Sequence, residues 1–103
     1  MSWNREFHQE KFKIPDNVLG ELKRLGFEDE SWHNDVSPHF TKPHPTEPDK
    51  IYQFWTDAVD VQDREFQEHA RFTLVLAYPE DTAPVFATEL PDIAAMALHV
   101  VFG

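Results

Sequence analysis

Apolar positions change period along the chain, and the changes mark its elements. Val18, Leu22 and Leu25 recur at i, i+4 and i+7, the spacing that gathers side chains on one face of a helix, and predict a helix over 16–25. Pro15 or Asp16 stands at its start and Gly26 just past its end. If Gly26 takes the left-handed C′ position, Phe27 becomes C″ and packs back on Leu22, the contact that accompanies a Schellman ending. Gly20 inside this helix costs about 1 kcal/mol relative to alanine, so the helix must lean on a core. Upstream, Phe12 and Ile14 stand two apart after a polar lead-in, which predicts an edge strand within residues 5–14.

Downstream of residue 50 the period becomes two. "KIYQFWTDAVDV" places Tyr52, Phe54 and Ala58 on one face and Ile51, Gln53, Trp55 and Asp57 on the other. "RFTLVLAY" places Phe72, Leu74, Leu76 and Tyr78 against Thr73, Val75 and Ala77, the pattern of a strand covered on both sides. "PEDTAP" is a turn by composition and "VFAT" a third short strand. The closing "ELPDIAAMALHVV" aligns Ile93, Ala97 and Val100 with Ala94, Leu98 and Val101, a small-residue helix apolar nearly all round and therefore expected to be buried.

Two stretches lack apolar periodicity. Residues 28–49 hold Pro38, Pro43, Pro45 and Pro48 and read as one long connection, a length that in a small domain points to function or to tethering by its own side chains. Trp32, Val36 and Phe40, four apart, are the candidate tethers. Residues 60–69 read two ways. A helix would give an Asp60, Arg64, Glu68 ladder at i, i+4 spacing, whereas an acidic hairpin loop needs no helix, and the loop reading is preferred. The sum is an α+β fold: a three- to four-stranded antiparallel sheet, two helices packed on one face, and a long Pro/His-rich loop between the first helix and the sheet. A chain of 103 residues supports one core, so residues 1–103 are read as a single domain.

Composition narrows the function classes. Without cysteine there is no disulfide scaffold, thiolate zinc module or cysteine nucleophile. Three glycines, at 20, 26 and 103, form neither a P-loop nor a dinucleotide turn, and no G-x-S-x-G is present. No basic segment precedes an apolar run, and no stretch approaches the roughly 18 apolar residues that span a bilayer, so the expectation is a soluble cytoplasmic protein without membrane contact.

The chain carries a net charge of -10, with the negative charge concentrated in its middle third. There Glu47, Asp49, Asp57, Asp60, Asp63, Glu65 and Glu68 face only Lys50 and Arg64. This balance argues against direct nucleic-acid binding, whose affinity comes from basic residues neutralising phosphates. It favours a basic protein partner, including one whose groove otherwise holds nucleic acid. Asp57, Asp60, Asp63, Glu65 and Glu68, with Trp55 and Phe66 as aromatic anchors, have the composition of such a docking surface.

The rival constellation is "SWHNDVSPHFTKPHP". His33, Asp35, His39 and His44 match in number what a zinc or manganese site without cysteine requires, and such a site would make the chain a small metal-dependent hydrolase. Their spacing matches no metal motif, and a histidine in a polar loop is ordinarily a hydrogen-bonder. Ser31, Asn34 and Asp35 read better as turn-formers, and His99 as a satisfied or helix-terminal histidine. The preferred expectation is a non-enzymatic, acidic interaction module of the inhibitor, immunity, antitoxin or adaptor kind, without cofactor. The apolar last helix adds a homodimer as a further possibility.

Overall fold

The structure, a computed structural model, describes residues 3–7, 10–32, 35 and 37–103. The α+β class holds, and the described residues form five antiparallel strands where three or four were expected and three helices where two were. The chain runs α1 (Trp3–Glu6), α2 (Asp16–Arg24), β1 (Glu28–Asp29), β2 (His39–Pro43), β3 (Ile51–Thr56), β4 (Phe72–Ala77), β5 (Thr82–Thr88) and α3 (Pro91–Phe102). The strands lie in chain order, each antiparallel to the next.

α2 ends as its local signals dictate. Gly26 has φ +83°, its N–H donates to the Lys23 carbonyl at 3.1 Å, and the Phe27 N–H donates to the Leu22 carbonyl at 2.9 Å, the two bonds of a Schellman motif. Phe27 is thereby folded into the core beside Val18 and Leu22. The other side of that core comes from the even-numbered positions of the sheet: Phe40, Phe54, Phe72 and Leu74, with Phe86 at the margin. Ala94 and Leu98 of α3 complete it, and Phe102 packs edge-on against both Phe27 and Tyr52. Both longer helices therefore cover one face of the sheet.

Three expectations are corrected. Residues 5–14 form no strand among the described positions; residues 3–6 make a helical turn, and Phe7 packs edge-on against Phe12. The supposed loop 28–49 contains β1 and β2. β2 buries only Phe40, so it shows no periodicity, and its pairing with β3, Phe40 opposite Phe54, supplies what its own sequence lacks. Pro38 precedes β2 and Pro43 ends it, positions where the missing N–H does not break a ladder. β4, expected to be covered on both faces, is buried only at Phe72 and Leu74 on the helix side: Leu76 on that face is half-buried, as are Thr73, Val75 and Ala77 on the face away from the helices. Of the candidate loop tethers, Phe40 belongs to the core, Trp32 is exposed and Val36 lies outside the described residues.

β5 is an edge strand that carries Pro84 and a bulge. Leu74 pairs with Phe86 and Val75 with Pro84, which leaves Val85 as the extra, exposed residue. The proline and the bulge blunt an edge that would otherwise recruit another strand. No helix among the described residues is long and apolar enough to cross a membrane.

Candidate functional site

The uncovered face of the sheet is overhung at one end by the loop joining β3 to β4, residues 57–71. It is not a helix: one 3₁₀ turn, Val61–Asp63, interrupts an otherwise irregular path. The loop is closed at its base by the Asp57 N–H donating to the Arg71 carbonyl at 2.6 Å, and the Val59 N–H ties it to the Lys11 carbonyl at 2.8 Å. Asp60 caps the 3₁₀ turn through the Gln62 N–H. Two of the acids thus serve the loop's own backbone, Asp57 by accepting from the Ala58 N–H and Asp60 by capping.

Arg64 organises the rest. Its side chain is 1% exposed and points inward, where its guanidinium donates to the carbonyls of Ala58, Val59 and His69 and, in a fork, to both carboxylate oxygens of Glu89 at 2.7 and 2.9 Å. The expected Asp60, Arg64, Glu68 ladder does not form, because Arg64 pairs with an acid 25 positions away at the end of β5 instead. Hydrogen bonds from Arg64 hold the Glu89 carboxyl below the ordinary glutamate range, outweighing the opposing desolvation, and the Arg71 N–H adds to them. Glu89 reciprocally raises the Arg64 pKa.

The acids left on the loop's outside stand beside apolar side chains. Val59, Val61 and Phe66 are exposed, Phe66 at 47% and in contact with the His69 ring at 5.1 Å. Where the loop meets the sheet a cleft of about 540 Å³ opens. It is lined by Trp55, Thr73, Val75 and Ala87 of the sheet and by Asp57, Glu68 and His69 of the loop. The Trp55 ring is fixed from behind: His39 pairs with it across β2 and β3 and stacks on it at 4.2 Å and 15°. The site therefore combines an immobilised indole with carboxylates that come from opposite ends of one loop.

Of the residues singled out from sequence, Trp55, Asp57 and Glu68 come together at the cleft, while Asp60, Asp63, Glu65 and Phe66 line the outer loop. His69 was not singled out, His39 was read as a metal ligand and not as the ring that stacks on Trp55, and the Arg64–Glu89 clamp was not anticipated. The first two depend on how the loop lies over the sheet and on strand pairing, and the clamp gave no signal at 25 residues' separation.

The histidine constellation is divided. Asp35 Oδ2 and His39 Nδ1, both buried atoms, lie 3.2 Å apart without hydrogen-bond alignment. His44 follows the other end of β2, five positions and about 16 Å of extended chain from His39. There it stacks on Tyr52, and its Nδ1 accepts the Thr46 and Glu47 N–H groups in the 44–50 turn. His33 lies outside the described residues. Among the described residues no group of three or more histidines and carboxylates stands where it could hold a metal ion. Comparison with known proteins returns no matching family model, curated protein or solved structure.

Proposed function

We propose that the protein is a non-enzymatic interaction module whose loop 57–71 docks on a basic protein surface, with the adjoining cleft taking an arginine or lysine side chain of the partner. The observation that carries the reading is the way the loop is built. Arg64 is consumed inside it, so the charge presented outward is that of Asp57, Asp60, Asp63, Glu65 and Glu68, and the backbone is ordered before any partner arrives. Preorganisation lowers the entropy cost of binding, and exposed Val59, Val61 and Phe66 among carboxylates provide apolar anchors within a steering field. A cation entering the cleft meets the Trp55 ring and the carboxylates of Asp57 and Glu68 together, which suits the planar guanidinium better than a point-charge ammonium.

An arginine-rich peptide of about a dozen residues, titrated while backbone amide resonances are followed, tests this. Shifts are expected at Trp55 to Ala70, with affinity falling at least tenfold between roughly 0.05 and 0.5 M salt. The five acids changed together to Asn or Gln should slow association first. Trp55→Ala, which leaves the charge unchanged, should weaken binding by a further roughly tenfold through the lost cation–π contact and apolar floor. Salt-insensitive binding, shifts away from the loop, or a Trp55→Ala variant that binds normally would sink the reading.

A further inference from the structure

The two outer faces of the fold differ. α3, expected to be buried because it is apolar nearly all round, buries only Ala94 and Leu98, and Ile93, Met96 and Val100 stand exposed as a plain apolar strip. The open face of the sheet is instead chemically graded along its length, and strand register fixes the order. At the loop end the Thr56 N–H donates to the Pro38 carbonyl and the Asp57 N–H to the Arg71 carbonyl, which sets Ser37 opposite Asp57. Trp55, Thr73 and Ala87 come next, paired across β3, β4 and β5. Val75 follows, and Thr82, opposite Ala77, lies furthest from the loop. Ser37, Asp57, Trp55, Val75 and Thr82 all line the one cleft. From Thr73 to the level of Thr82 it therefore follows β4 for about 13 Å, a length that an extended chain covers in about four residues.

Charge and hydrogen-bonding capacity change along this length. Both carboxylates of the cleft, Asp57 and Glu68, belong to the loop end. Glu68 has no hydrogen-bond or ion-pair partner among the described residues, and the Asp57 carboxylate accepts only the adjacent Ala58 N–H. Ser37 is 2% exposed, and its hydroxyl also has no partner among the described residues. A hydroxyl so deeply set is ordinarily paired. Beyond Trp55 the lining is uncharged: Val75, Ala87 and the hydroxyls of Thr73 and Thr82, again without partners among the described residues. An arginine side chain has donors and no acceptor, so it uses the carboxylates, the indole and Ser37 and gives the far stretch no role. Hydroxyls that both donate and accept match a peptide backbone, whose N–H and C=O groups must both be paired when covered. A helix pairs its own backbone and would leave the threonines unused.

We infer that the cleft takes an extended segment of the partner, not a lone side chain. Its arginine lies at the loop end, with the guanidinium on Trp55 and bonded to Asp57, Glu68 and Ser37. About three small uncharged residues continue along β4 to Thr82, their backbone bonded to the threonine hydroxyls. This rests on the docking function proposed above and adds the length, conformation and charge polarity of what is docked.

Two blocked pentapeptides, each with one arginine at one or the other end and alanine or serine elsewhere, are titrated against the whole chain beside L-arginine amide while backbone amide resonances are followed. The better pentapeptide should bind at least about tenfold tighter than L-arginine amide and shift Val75 and Thr82 as well as Trp55 to Ala70. Thr82→Trp, at the exposed start of β5, fills the far end; it should leave the circular dichroism melt unchanged and weaken the pentapeptide about fivefold or more, with L-arginine amide unaffected. Ser37→Ala should weaken both probes alike. A pentapeptide no tighter than L-arginine amide, or one bound equally well by the Thr82→Trp chain, overturns the inference and leaves the docking function standing. A Ser37→Ala chain that binds both probes as wild type does overturns it as well. Absence of binding by both probes and by the arginine-rich peptide overturns the docking function, and this inference with it.

Discussion

Replacing Arg64 by alanine withdraws the centre of loop 57–71. Five hydrogen bonds disappear: three to the carbonyls of Ala58, Val59 and His69, and two to Glu89. Each carbonyl bond contributes a net 0.5 to 1.5 kcal/mol, so the three together contribute about 2 to 4 kcal/mol, with the 3.4 Å bond to Val59 at the low end. The two Glu89 bonds add at most about 1 kcal/mol, because that carboxylate is 51% exposed and returns to water when its partner is removed. The expected loss is therefore about 2 to 5 kcal/mol, read as a lowered midpoint in urea unfolding followed by circular dichroism at constant m-value. Glu89→Gln isolates the ionic part and should cost less than about 1 kcal/mol. Amide exchange should accelerate from Ala58 to Ala70 more than in β3 and β4, and the arginine-rich peptide should bind the Arg64→Ala chain more weakly although every acid is still present. A loss below about 0.5 kcal/mol, or a Glu89→Gln variant as unstable as Arg64→Ala, would refute the assignment of Arg64 as the loop's organiser.

The glycines of α2 should respond in opposite directions. Gly20→Ala meets no atom within 4 Å and should stabilise by about 0.5 to 1 kcal/mol, whereas Gly26→Ala forces a side chain into φ +83° and should cost about 1 to 2 kcal/mol, both read from thermal melts. Phe54→Ala, at the centre of the core with no exposed surface, should cost about 3 to 5 kcal/mol in denaturant unfolding. The Glu89 pair has a definite pH sign: its folded pKa lies below the unfolded value near 4.5, so its contribution is present above that value and is lost as pH falls through the folded pKa. Urea midpoints of wild type and Glu89→Gln should therefore converge on acidification; a gap that widens instead would contradict the pairing.

What could be read in advance was local. α2 with its glycine ending was legible because each signal, the i, i+4 spacing, Gly26 and Phe27, acts within one or two turns. β3 and β4 were legible because strict alternation of large apolar side chains has few other meanings. The preference for a loop over a helix at 60–69 was also correct, since Asp60 favours a cap and turn over a helix interior. Three of the seven residues proposed for partner binding, Trp55, Asp57 and Glu68, lie together on the cleft.

What remained hidden involves residues distant in sequence. β2 buries a single phenylalanine, and only its pairing with β3 makes it a strand; that pairing also sets His39 on Trp55 and carries His44 to the far end of the sheet. Arg64 could be expected to find a carboxylate, but the identity of Glu89 depends on where β5 ends relative to the loop. Composition established that α3 is apolar, while the tertiary structure decided that only half of it is covered. A single sheet with both helices on one side has just one buried layer, so a helix apolar on every face must leave one of them to solvent or to a neighbour. Periodicity determines which side chains share a face; the packing of layers determines which faces are covered, and that depends on contacts no local pattern encodes.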